Sequence, residues 1–293
     1  MTARVSHWAI FSTCPGAAAF GRKRRHRNLA HYAFDGSKYT LPATPELRKA
    51  IDPDSGLDQP GKGHYPQALV NTVYDVFRRL PVGRSVCPVP DGDERKQALS
   101  LLAKLPLACV CLFDRGHPRY AFILALLQQS RLFLMRCPAK STFPAVESFV
   151  HGGQAEDWAW LMPSDEFKRG LTRQERETLQ PIKRRIIRLT RPDGTGSALL
   201  TNLFDKTAFP RPRIIDLYYR RWAVENHYRD EKVGFEIKHF HSRTANGIQQ
   251  VNSVKALIVF QDLLDDIRRV KYYRPKKRQA SKPRVNKGSL NKW

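Results

Sequence analysis

Apolar residues follow two distinct rhythms along this chain of 293 residues. In DGDERKQALSLLAKL (91–105), Ala98, Leu101, Leu102 and Leu105 recur at helical spacing, and Asp91 or Asp93 stands where a cap belongs, so the segment predicts a helix. PLACVCLFDRG (106–116) is instead a short unbroken apolar run, the mark of a strand buried on both faces, and it ends at an Asp-Arg-Gly turn. YAFILALLQQ (120–129) predicts an apolar helix and RLFLMRC (131–137) a second buried strand. Upstream, HYAFDGSKYTL (31–41) has strand composition but contains a turn-forming Asp-Gly. LPATPELRKAID offers Thr44 as cap and Pro45 as first residue of a short helix, 53–64 reads as a loop, and QALVNTVYDVFRRL (67–80) alternates enough for a strand while admitting a helix. Strand, helix, strand, helix, strand at this spacing predicts an α/β fold, a sheet with parallel members and helices on its faces.

From residue 138 the pattern turns polar and β-rich. FVHGGQAEDWAWLMP carries Trp158 and Trp160 around Ala159, on one face if the stretch is a strand, and core packing is the expectation for both. LTRQERETLQ predicts a short helix, and PIKRRIIRLTRPDGTGSALLTNLF a hairpin turning at Pro-Asp-Gly. A long helix is expected from about Ile214 to Val233, and another over Gly247–Asp266.

Charge narrows the partner. Fifty-one Lys+Arg against 27 Asp+Glu leave a net charge of +24, and such a field seeks a polyanion. Nucleic acid is the first candidate and an anionic membrane surface the second, but no apolar run approaches the ~18 residues of a membrane span. The excess collects at the ends: residues 1–34 hold no acid, and 268–293 hold eleven basic residues, Tyr272 and Tyr273, and no acid, which suits phosphate contact. The five Cys lack metal-ligand spacing; Cys109 and Cys111 share a strand face and read as structural thiols in a reducing interior. The signal-like segment 8–20 is broken by Pro15-Gly16.

The chemistry concentrates in YYRRWAVENHYRDEK (218–232). On a helix, Tyr218, Arg221, Glu225, Arg229 and Lys232 fall within a stripe roughly 80° wide. Such a stripe is either a solvated face laced with i,i+4 pairs, or a phosphate grip with Glu225 holding a metal. Asp114, at the end of a buried strand, and Asp35, in a comparable place, would complete an oxygen-only set of the kind that suits Mg²⁺ or Mn²⁺. His117, His227, His239 and His241 are expected on the surface or facing nucleic acid, since a metal-activated nucleophile needs no histidine.

The spacing Tyr218-x2-Arg221-x3-Glu225-x6-Lys232 matches the Tyr-Arg-Glu-Lys signature of the insertion-sequence-four family of bacterial DDE transposases. AFDGSKYTLPATPE resembles that family's first-aspartate segment, CLFDRGHPRYAFILALL its second, and LLTNLFDKTAFPRPRIIDLYYRRWAVENHYRDEK its third, so the resemblance covers roughly 31–265. It implies a ribonuclease-H-like mixed sheet flanked by helices, with a β-rich insertion before the last catalytic helix. The corresponding divisions are a basic tail (1–30), a first core part (31–137), the insertion (138–205), C-terminal core helices (206–267) and a second basic tail (268–293). It implies that Asp35, Asp114 and Glu225 are catalytic and hold two Mg²⁺ ions, with Mn²⁺ as substitute, for DNA strand cleavage and transfer in cut-and-paste transposition. Tyr218, Arg221, Arg229 and Lys232 would contact double-stranded DNA, with no membrane partner. A homodimer assembled on DNA, at the nucleoid in a bacterial cytoplasm, is the implied setting. Relatives place a helical DNA-binding region before the first aspartate where only 34 residues stand here, so an N-terminally truncated copy is expected. The alternative to an active enzyme is an inactive remnant that only binds DNA.

Overall fold

The computed structural model describes residues 9–11, 29–51, 65–89, 92–140, 143–190, 196–234, 243–244, 246–248 and 250. Nine strands among them form one mixed sheet: β1 (Ala9–Phe11), β2 (Ala30–Thr40), β3 (Gln67–Asp75), β4 (Leu80–Pro88), β5 (Cys109–Phe113), β6 (Leu132–Pro138), β7 (Glu156–Leu161), β8 (Ile182–Thr190) and β9 (Gly196–Thr201). Their order is β1-β4-β3-β2-β5-β6-β9-β8-β7. β2, β3 and β4 are an antiparallel meander, β5 and β6 run parallel to β2, and β9, β8 and β7 extend the sheet antiparallel from β6. A three-strand meander followed by two parallel strands, with helices on both faces, is the ribonuclease-H-like arrangement.

The five residues of β5 are all fully buried, because helices cover both sides of the sheet at its centre. Cys109, Cys111 and Phe113 point to one core, with α2 (Glu94–Leu102), α3 (Tyr120–Gln128) and α4 (Pro144–His151). Val110 and Leu112 point to the other, with α1 (Pro45–Ile51), α7 (Arg211–Tyr219) and α8 (Trp222–Gly234). Two short exposed helices, α5 (Asp165–Arg169) and α6 (Arg173–Thr178), join β7 to β8, and α6 begins with a Thr172–Glu175 capping box. Asp93 caps α2 by accepting from Arg95 N, and Thr44 caps α1 through Leu47 N.

Several expectations are corrected. Asp35-Gly36 makes no turn: β2 runs through it from residue 30 to 40, paired to β3 along its length. Residues 67–80 are a strand that turns at 76–79 into the unforeseen β4, and Arg79 closes that turn at φ 59°, a left-handed conformation that no glycine announced. The unforeseen α4 occupies 144–151. The expected helix over 214–233 is two helices, α7 and α8, parted by tight i→i+3 bonds from Arg221 N to Tyr218 O and from Ala223 N to Arg220 O. Trp158 and Trp160 do share a face of β7, but Ala159 and Leu161 supply its core side, and both indoles are exposed, with Lys183 Nζ 5.0 and 5.6 Å from their rings. The Pro-Asp-Gly turn, the C-terminal basic tail, most of the N-terminal one and most of the expected helix at 247–266 lie outside the described residues; within the N-terminal tail Ala9–Phe11 form the unforeseen β1.

Candidate active site

Two neighbouring parallel strands bring the first two acids together. β2 and β5 pair Ala33 with Leu112, so two residues further on Asp35, still within β2, and Asp114, just past the end of β5, lie side by side. Strand alternation gives their direction: Phe34 and Phe113 stack at 4.9 Å in one core, so Asp35 and Asp114 emerge on the opposite face, the one covered by α8. Glu225 stands on the first turn of that helix.

Each carboxylate has a distinct environment. Burial lifts the Asp35 carboxyl from its ordinary 3.8 to about 7; Arg221 opposes the rise, and the negative charges of Asp114, Glu225 and Glu94 add to it. Burial pushes Asp114 the same way, but a hydrogen bond from His117 Nδ1 (2.8 Å), the charge of His117 and the Gly116 N–H (2.9 Å) outweigh it and hold the group below its ordinary value. His117 is therefore no surface histidine. It is buried against Phe113 and Phe122, with ring centroids 5.0 and 5.6 Å away. Glu225 is half exposed and accepts from Arg221 Nη2 at 2.5 Å.

Arg221 is the pivot of the cluster. The residue is 4% exposed, and among the described residues its Nε and Nη1 have no hydrogen-bond partner. Although burial disfavours its charge, Tyr218, Glu225 and Asp35 hold its pKa above the ordinary value. Tyr218 is also buried, its ring 5.8 Å from that guanidinium. The stripe expected on one helix face is thus divided by the turn between α7 and α8: Tyr218 and Arg221 go inward, while Glu225 and Arg229 stay exposed. Lys232 is half-buried, donates to Ser37 Oγ (2.5 Å) and lies 4.9 Å over the Tyr39 ring. Asp35, Gly36, Ser37, Glu225, Tyr228, Arg229 and Lys232 line a groove of ≈ 440 Å³.

Three contributors had no signal in the sequence. Glu94 opens α2 and reaches back to β2, so close that a Cβ on Gly36 would lie 2.6 Å from Glu94 Oε1 and 2.9 Å from Asn71 Oδ1. A side chain at position 36 would have to push these carboxylate and amide ends aside. Ser37 receives Lys232, and Tyr228 donates from α8 to the Asp35 carbonyl at 2.8 Å. Deeper under α8, Glu231 is fully buried against Arg84, His227 (3.1 Å) and Tyr39 (2.7 Å). Burial disfavours its charge, yet His227, Arg84 and Tyr39 together hold it at about 2. His227 thus serves a buried ion network rather than the surface; His239 and His241 lie outside the described residues.

The donor set fits a hard divalent cation in kind, being oxygen only; burial is the main cause of the raised Asp35 pKa, and the neighbouring carboxylates add to it. As they stand, no three His, Cys, Asp or Glu side chains among the described residues are gathered to hold a metal ion; the counter-charge comes from Arg221.

A mixed sheet of ribonuclease-H-like order, with helices on both faces, gives the class of fold. Residues 30–260 match the family model described as "Transposase DDE domain", and the chain belongs to that family. Among solved structures it is similar to the piggyBac transposase synaptic complex with hairpin DNA, determined by cryo-EM, at 10% identity and a TM-score of 0.41, over 70% of this chain and 40% of that one. No curated protein matches the chain.

Proposed function

We propose that the chain is a DNA transposase of the insertion-sequence-four type, cleaving and joining DNA strands at the ends of a mobile element by a cut-and-paste route. The observation that carries this reading is the emergence of Asp35 and Asp114 side by side on one sheet face, with Glu225 on the helix that covers it. Asp35, Asp114 and Glu225 would hold Mg²⁺ or Mn²⁺, ions that activate an attacking oxygen and stabilise a leaving one in phosphoryl transfer. The chain's own residues do the rest. His117 keeps Asp114 ionised and oriented through its 2.8 Å contact. Lys232 and Arg229 border the groove and would bind backbone phosphates there, and the free donors of Arg221, with Tyr218 beside them, would orient a strand end. Double-stranded DNA is the partner and a homodimer on DNA the working assembly, at the nucleoid of a bacterial cytoplasm. Among the described residues no helix is long and apolar enough to cross a membrane.

A second reading, a remnant that binds DNA without cutting it, draws on the pairing of Glu225 with Arg221 instead of with the aspartates. Glu225→Gln separates the two. On DNA carrying element ends, with Mg²⁺, the transposase reading expects cleavage to fall at least ~10³-fold while DNA retention changes less than about twofold. A wild-type chain that retains DNA but leaves it intact establishes the remnant. Equal loss of retention and cleavage in the variant removes Glu225 from the role of metal ligand.

A further inference from the structure

α8 presents two stripes. At ~100° per residue, Val224, His227, Tyr228 and Glu231 gather on one side, while Glu225, Arg229 and Lys232 gather roughly a third of a turn away. The first stripe is buried in full. The second borders the groove. The roll of the helix about its axis therefore decides where Glu225 points, and the buried stripe sets that roll.

Within the buried stripe the polar contacts differ in what they reach. Glu231 and His227 bind Arg84 of β4, and Glu231 also receives Tyr39 of β2, which holds the helix down on the sheet. Tyr228 alone of the three reaches Asp35 itself: its hydroxyl donates to the backbone carbonyl of Asp35 at 2.8 Å and approaches Val70 O at 3.0 Å. Tyr228 lies one turn from Glu225, so a single side chain joins the carrier of one candidate ligand to the backbone of another. We propose that Tyr228 is a positioning residue of this site, fixing the roll of α8 so that Glu225 faces the groove that Asp35 also lines. The inference rests on the metal-dependent reading given above.

The lever is short. A group some 5–6 Å from the helix axis moves about 2 Å for a roll of about 20°. A misplacement of ~1 Å in a reacting constellation can cost on the order of 10²-fold. Removing one hydroxyl should thus leave the fold standing and degrade the site.

The experiment compares full-length wild type, Tyr228→Phe, Glu225→Gln and Tyr120→Phe. Tyr120 is the control, a buried tyrosine on α3 whose hydroxyl donates to Gln180 O at 2.7 Å, away from the groove. Mn²⁺ alone is the probe, its bound fraction read by electron paramagnetic resonance, beside melting temperature, DNA retention and single-turnover nicking with Mg²⁺. Tyr228→Phe is expected to weaken Mn²⁺ binding about five- to tenfold and to slow nicking about 10- to 100-fold, with retention within twofold of wild type. Tyr120→Phe should lower the melting temperature comparably and leave Mn²⁺ binding unchanged. Wild-type Mn²⁺ affinity and nicking in Tyr228→Phe, or equal losses in the two Phe variants, would overturn the positioning role while the site reading stands. If wild type and Glu225→Gln bind Mn²⁺ alike and wild type nicks nothing, the site reading itself fails and takes the positioning role with it.

Discussion

Replacing Asp35 by Asn tests the electrostatics of the site without requiring DNA. The carboxyl titrates near 7 in the fold against an ordinary 3.8, so its proton is bound more tightly folded than unfolded. The sign follows: this group costs nothing below pH ~4, its cost grows as pH rises toward 7, and it is constant above. The interval from 3.8 to about 7 corresponds to a ceiling of about 4 kcal/mol, and solvent reaching this partly exposed residue reduces it to about 2 kcal/mol. Asn has the same shape and no charge. Asp35→Asn should therefore melt only about 1–3 °C above the wild type near pH 4.5 and about 4–8 °C above it at pH 8.5, since a chain of this size shifts ~2–4 °C per kcal/mol. Asp114, whose depressed pKa makes the fold weaker in acid, is common to both proteins and largely cancels in the difference. The assay is thermal melting in chelator across pH 4.5–8.5, repeated with Mg²⁺, which should raise the melting temperature of the wild type alone. A gap between the two proteins that does not change with pH, or an Asn variant that melts lower at pH 8.5, refutes the reasoning.

Arg221→Gln removes the positive charge that restrains Asp35, so in chelator it should lower the melting temperature more at pH 8.5 than at pH 5. Adding Asp35→Asn to it should recover part of the loss; a pH-independent loss would mean that Arg221 acts by packing alone. Removal of residues 271–293 should weaken DNA retention and flatten its dependence on salt, because each phosphate contact contributes to that slope. An unchanged slope would show that this tail does not touch phosphate.

Which features were legible depended on whether local sequence or tertiary contact set them. α2, β5, α3 and β6 could be read because apolar spacing alone defines each, and the hairpin of β8 and β9 because two β-rich runs flank turn residues. The Tyr-Arg-Glu-Lys spacing marked the third site segment regardless of the helix geometry around it. The break between α7 and α8 left no trace, since neither Gly nor Pro stands at Arg220-Arg221 and the tight turn is set by burying Tyr218 and Arg221 under the sheet face. Asp35-Gly36 looked like a turn because dipeptide statistics ignore the partner strand, here β3, which pairs with β2 straight through both residues. The tryptophans were misjudged because two faces of β7 are equally aromatic or apolar in sequence, and only the sheet decides which is inside. His117 and His227 were judged from residue type, whereas their carboxylate partners draw them inward.

The ladder between β6 and β9 carries a practical consequence for anyone trimming this protein. β6 is largely apolar, and on the side away from β5 its backbone pairs with β9 from Leu134 to Pro138, with Asn202 just beyond β9 accepting from Phe133 N. Excising residues 144–201 to isolate the acidic centre would expose that strand as a bare, sticky margin, ready to zip onto a second molecule. A shorter fragment of this chain that carries the acidic centre must keep β9, or its bare strand will drive aggregation.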